Sequence, residues 1–101
     1  MSPKARLFRH EKYTDSFGNM AEIKIWIVPV SVHHPDVVKY SLVYVVNGTR
    51  VIGFDNERGK GDHFHLDAYE SPYAFSSVGK LLKDFLLAVH EWKEKQYGHQ
   101  G

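Results

Sequence analysis

The chain contains no cysteine. Disulfides and thiolate metal sites are therefore excluded, and a reducing compartment is compatible with that composition. Long apolar runs are also missing. None approaches the roughly 18 residues that cross a bilayer, so no membrane association is expected. The opening stretch, MSPKARLFRHEK, lacks the apolar core of a signal peptide. The expected location is the cytoplasm. A strong net charge is absent as well: the formal balance is +1, which gives no bulk electrostatic excess for a nucleic-acid binder. No repeat, linker or low-complexity segment interrupts the chain.

What is present suffices for a fold. Apolar residues make up 43% and aromatics 14%, which argues against disorder. A length of 101 residues predicts one domain spanning 1–101. A chain of this size can bury roughly two-thirds of its unfolded surface, enough for a single modest core.

Basic residues gather at the start: Lys4, Arg6, Arg9, His10 and Lys12. Arg6, His10 and Lys12 share parity and would point to one face of a strand. A solvated strand face explains them as well as a stripe for an anionic partner does.

Alternation predicts strands over Ala5–Tyr13, Met20–Val28, Val37–Val46 and Thr49–Phe54. In the second, Ala21, Ile23, Ile25 and Ile27 take one face; Glu22, Lys24 and Trp26 take the other. Pro29 closes that strand, and Val30–Asp36 is too long for a tight hairpin. Asn47-Gly48 supplies the positive φ angles of a type I′ turn between the third and fourth strands. His63–Leu66 and Tyr73–Phe75 can also be extended. From Ser77 the period changes. Val78, Leu81, Leu82, Phe85, Val89 and Trp92 follow the i, i+3, i+4, i+7 template of an amphipathic helix. Ser76 or Ser77 caps it, and Gly98 ends it. The expectation is an α+β domain: an antiparallel sheet of about five strands with one long C-terminal helix packed on one face.

The segment DNERGKGDHFHLD, Asp55–Asp67, breaks the pattern. It packs charged and imidazole side chains into thirteen residues with only two apolar ones. It begins at a strand end, where sites concentrate, and Gly59 and Gly61 permit sharp turns. His63, His65 and Asp67 share parity; Phe64 and Leu66 point the other way, towards the core. Three readings stay open. Two imidazoles at this spacing can ligate a metal, with Asp67, Asp62 or Asp55 supplying oxygen. Alternatively, His63 and His65 serve as acid and base in RNA cleavage near neutral pH, with Arg58 and Lys60 stabilising phosphorane charge. Asp55, Glu57 and Asp62 complete that candidate set. In the third reading the charges pair among themselves and rigidify a turn. Elsewhere, His33-His34 reads as an exposed loop pair, His90 as the edge of the helix's buried face and His99 as tail. Trp26 and Trp92 read as core. Gly59-Lys60-Gly61 lacks the surroundings of a P-loop.

The stretch VIGFDNERGKGDHFHLDAYESPYAFSSVGKLLKDFLLAV, Val51–Val89, resembles the signature of the TumE-like family of small prokaryotic toxins. The matching positions are Gly53, Asp55, Asn56, Glu57, Arg58, Gly59, Lys60, Gly61, Asp62, His63 and His65. Pro72, Tyr73, Phe75, Leu82, Asp84 and Phe85 follow in a second block. Phe54 stands where the family usually has Tyr, and Phe64 where a basic residue is common. The resemblance implies the toxin of a two-gene system and a helix-turn-helix antitoxin as its partner.

The expected function is therefore a type II toxin acting on RNA through Asp55–His65. It would be a metal-independent endoribonuclease with no cofactor. The alternatives are a non-catalytic protein- or nucleic-acid-binding module and a subunit, a homodimer included, that partners a helix-turn-helix regulator.

Overall fold

A computed structural model of the chain describes residues 6–27, 38–56 and 61–98. Six strands run β1 (Arg6–Thr14), β2 (Met20–Ile27), β3 (Val38–Val46), β4 (Thr49–Asp55), β5 (His63–Leu66) and β6 (Tyr69–Pro72), followed by helix α1 (Val78–Tyr97). They form one antiparallel meander in chain order. The fold is the expected α+β sheet with one C-terminal helix.

The extra strand follows from a turn. Asp67 takes a positive φ of 52°, a conformation that Asp tolerates better than most residues. The chain reverses there and pairs Leu66 with Tyr69 and His65 with Glu70. The sixth strand is thus Tyr69–Pro72; the expected extended run at Tyr73–Phe75 is irregular. Asp67 also leaves the strand at this turn, so it does not continue the His63/His65 face. The Asn47-Gly48 hairpin forms as expected, with φ of 51° and 78°.

Alternation decides what is buried. Ala21, Ile23 and Ile25 of β2, Tyr40, Leu42 and Tyr44 of β3 and Ile52 and Phe54 of β4 lie on one face, where they meet Leu81, Phe85 and Val89 of α1. Val78, Leu82 and Trp92 pack at the margin of the same core. The Ser77 hydroxyl accepts from Lys80 N at 3.1 Å and caps the helix; Gly98, at φ 68°, ends it. The C-terminal end of the helix is tied to the β1–β2 turn. Asn19 Nδ2 donates to Tyr44 OH and Tyr97 OH, Tyr44 donates to Asp15, and Phe17 stacks on Tyr97 at 4.0 Å.

The opposite face is open among the described residues, and it departs from expectation in two places. The register shifts between Leu7 and Arg9. That bulge turns Arg6 onto the face of Ile27, whereas His10 and Lys12 align with Lys24 and Glu22. The three basic residues do not share a face. Trp26 is not core. It sits on the open face, beside Lys39. His90 is exposed on the helix, 3.6 Å from Glu94.

Candidate functional site

The Asp55–Asp67 segment divides between the two faces of the sheet. Asp55 ends β4 opposite Ser41 on one side and His63 on the other; His65 lies opposite Gly53 and Glu70. The pleat sends Asp55, His63, His65 and Glu70 to the open face. There they touch in sequence. Asp55 Oδ2 is 3.2 Å from His65 Nε2, His65 Nδ1 is 3.7 Å from Glu70 Oε2, and His63 Nδ1 is 3.0 Å from Glu70 Oε1. The ring centroids are 6.3 Å apart. The two imidazoles keep 21% and 14% of their side-chain surface in solvent, so both remain within reach of a ligand.

No motif or spacing in the sequence marks Glu70 for this cluster. Its place depends on the two-residue reversal at Asp67-Ala68, which carries no Asn-Gly or Asp-Gly signal.

The other face of the same segment does structural work. The Asn56 side chain is buried. Its Oδ1 accepts from Tyr40 N and its Nδ2 donates to Val38 O, both at 2.8 Å. Asn56 therefore extends the β3–β4 ladder beyond its last backbone rung. Asp62, a candidate catalytic residue, accepts a 2.5 Å hydrogen bond from the buried Tyr40 hydroxyl, and its carbonyl accepts from Tyr73 N at 3.0 Å. Burial, reinforced by that carboxylate, pushes the Tyr40 phenol well above its ordinary value, so it stays a donor. Gly61, at φ 76°, makes the turn into β5. Phe64 packs on Phe54 at 4.7 Å under the helix, away from the imidazoles. Asp67 lines a cleft with Phe64, Leu66 and Trp92 on that same side. Of the remaining candidates, Glu57, Arg58 and Lys60 lie outside the described residues, as do His33, His34 and His99.

The open face continues beyond the imidazoles. Trp26, Lys39, Tyr40, Ser41 and Asp55 line a depression of about 250 Å³, with Lys39 Nζ 5.6 Å from the Trp26 ring centre. Further across, His10 Nε2 lies 2.8 Å from Glu22 Oε2. That hydrogen bond holds the Glu22 carboxyl below the usual carboxylate range.

Chemically, the cluster alternates acid and imidazole. Each carboxylate can fix a ring's orientation and tautomer, and each ring can give or take a proton. Among the described residues, no group of three or more acidic or imidazole side chains is arranged to hold a metal ion. No helix among them is long and apolar enough to cross a membrane.

No curated protein and no solved structure matches the chain. The family model described as Toxin TumE matches residues 4–93, from before β1 to within α1. That span takes in every strand and both blocks of the motif, and the chain belongs to the TumE toxin family.

Proposed function

We propose that this chain is the toxin of a type II toxin–antitoxin pair and that it acts in the cytoplasm as a metal-independent endoribonuclease. The observation that carries the reading is the run Asp55–His65–Glu70–His63 on the face of the sheet opposite the helix. Internal cleavage of RNA needs a base for the 2′-hydroxyl and an acid for the leaving 5′-oxygen. His63, its Nδ1 3.0 Å from Glu70 Oε1, is the group assigned to take the 2′-hydroxyl proton. The 2′-oxygen then attacks phosphorus, and the 5′-oxygen leaves with a proton. His65, oriented through Nε2 by Asp55 at 3.2 Å, is the group assigned to give that proton, from Nδ1, which at 3.7 Å from Glu70 is beyond hydrogen-bond reach. The products are a 2′,3′-cyclic phosphate and a 5′-hydroxyl. Arg58 and Lys60 are the cations assigned to the pentacoordinate phosphorus; Glu57 belongs to the same segment. Asp62 serves by tying the entry to β5 to Tyr40. The partner is a helix-turn-helix antitoxin, the class the family resemblance implies.

A second reading is favoured by the same carboxylates. While the imidazoles are neutral, Asp55 and Glu70 make the cluster negative, which repels a phosphodiester. A cationic protein segment would then be the occupant, and toxicity would arise from binding alone.

Expression without the antitoxin separates the two. Growth should stall, and His63→Ala should relieve the stall in a folded protein. Purified protein should cleave RNA in the presence of chelator, and His63→Ala should lower the rate on the order of 10²–10⁴-fold. Intact RNA beside a toxic, folded wild type would end the ribonuclease reading in favour of binding. Cleavage abolished by chelator would transfer the chemistry to a metal.

A further inference from the structure

We propose that the depression beside the imidazoles is a nucleobase subsite and that it selects guanine from single-stranded RNA. The inference rests on the RNA reading of the neighbouring cluster and adds the substrate preference.

Trp26 is an indole turned away from the core. Its neighbours Ile23 and Ile25 lie under the helix, whereas Trp26 follows Glu22 and Lys24 onto the open face. Lys39, directly opposite on β3, places its ammonium 5.6 Å from the indole centre. An indole face approached by a cation and bordering a depression of about 250 Å³ suits a flat base, since stacking on aromatic side chains is how proteins hold unpaired bases. A stacked base would displace the ammonium from the ring, and Lys39 would then be free to meet a backbone phosphate. Lys24, on the same face and aligned with Ser41, adds a second cation for the strand.

The far wall supplies the selection. Asp55 lines the depression and also contacts His65. An ionised carboxylate only accepts hydrogen bonds. Guanine is the one common base with two adjacent donors on its pairing edge, N1–H and the 2-amino group. Adenine and cytosine place an amino group beside an acceptor nitrogen, which a carboxylate repels. Uracil has a single N–H between two carbonyls. Ser41, directly opposite Asp55, can donate to the guanine carbonyl. The spacing fits one nucleotide. Ser41, Asp55 and His63 are aligned across three adjacent strands, so the depression and His63 are about 10 Å apart at the usual strand separation. A base in the depression brings its own 2′-hydroxyl and 3′-phosphate towards the imidazoles, and Asp55 couples the two events.

Calorimetric titration of the intact protein with guanosine 3′-monophosphate tests the idea without requiring cleavage. Saturable binding is expected, with uridine 3′-monophosphate roughly tenfold weaker or more, the size of one lost bidentate pair. Trp26→Ala should weaken guanosine binding roughly tenfold, and Trp26→Phe should restore most of it. Lys39→Ala, at an exposed position, should weaken both nucleotides alike and flatten the salt dependence; it keeps the test open if Trp26→Ala fails to fold. No binding at millimolar nucleotide, or equal affinity for the two nucleotides, overturns the proposal. RNA that is cleaved while guanosine monophosphate fails to bind removes the subsite and leaves the ribonuclease reading standing. Guanosine-selective binding that depends on Trp26, beside intact RNA, does the reverse.

Discussion

Asn56→Ala should be among the most damaging single changes in the motif, although Asn56 faces away from the imidazoles. The backbone ladder between β3 and β4 ends at Ser41 and Asp55. The Asn56 amide then satisfies Tyr40 N and Val38 O, each at 2.8 Å, from a buried position. Alanine leaves one backbone donor and one acceptor without partners. A stranded buried group costs about 1–3 kcal/mol, less where water can enter, so the pair predicts a loss of about 2–5 kcal/mol. Domains are stable by roughly 5–15 kcal/mol. With a urea m-value of about 1–3 kcal/mol/M, the unfolding midpoint should drop by at least about 0.7 M. Asn56→Asp sharpens the test. Its carboxyl keeps the acceptor for Tyr40 N, but when ionised it turns a lone pair on Val38 O. Burial and that carbonyl raise its folded-state pKa above the unfolded value. The stability it contributes is therefore present below the unfolded pKa and lost as pH rises through the folded one. Against the wild type at each pH, Asn56→Asp should be mildest near pH 4 and worst at neutrality, while Asn56→Ala should show no such trend. A loss below about 0.5 kcal/mol for the alanine variant, or a flat profile for the aspartate variant, would refute the ladder argument.

Three further outcomes follow from packing and charge. Phe85→Ala empties a fully buried ring site that meets Phe54 edge-on at 6.2 Å; the loss should be about 3–5 kcal/mol, and under about 1 kcal/mol by urea unfolding would place Phe85 outside the core. Tyr40→Phe deletes the donor to Asp62; it should cost about 1.5–3 kcal/mol and accelerate amide exchange at His63, and unchanged exchange would mean that the start of β5 is held by other contacts. The Asp84 carboxyl is held below its usual range by Lys80 first and Tyr73 second. Its stabilisation is present above the unfolded carboxyl pKa of about 3.9 and is lost as pH falls through the lower folded value. The stability gap between wild type and Asp84→Asn should therefore close as the pH falls below roughly 4, and a gap independent of pH would show that the ion pair contributes nothing.

Much of this architecture was legible in the sequence because it rests on periodicity. The alternation through Ala21, Ile23 and Ile25, the Asn47-Gly48 turn and the Leu81, Phe85, Val89 stripe each have one cheap solution, and the structure adopts it. The failures share a cause. A bulge at Leu7–Arg9 and a reversal at Asp67 each change which way every later side chain points. Neither is announced by glycine or proline. One separated Arg6 from His10 and Lys12; the other removed Asp67 from the imidazole face and brought in Glu70. Trp26 departs from expectation for a different reason. Its size suggested core, while its position in the alternation, beside Glu22 and Lys24, correctly put it outside.

The faces also predict how the motif's residues divide under mutation. Asp55, His63 and His65 point to the open side, whereas Phe54, Asn56 and Phe64 point inward and Asp62 is bound to the buried Tyr40 hydroxyl. Surface side chains that make no core contact seldom change stability by more than about 0.5 kcal/mol. Substitutions of the outward set, such as His63→Gln or His65→Gln, should therefore abolish growth inhibition with little change in the urea midpoint. Substitutions of the inward set should lower the midpoint first, and toxicity only in proportion to the folded fraction, so that cooling restores it. Toxicity scored against midpoint for both sets, at two growth temperatures, checks this. If the imidazole variants also lose stability, and regain toxicity on cooling, then Asp55, Glu70 and the imidazoles are a brace for the β4–β6 sheet, and the open face is not where this toxin acts.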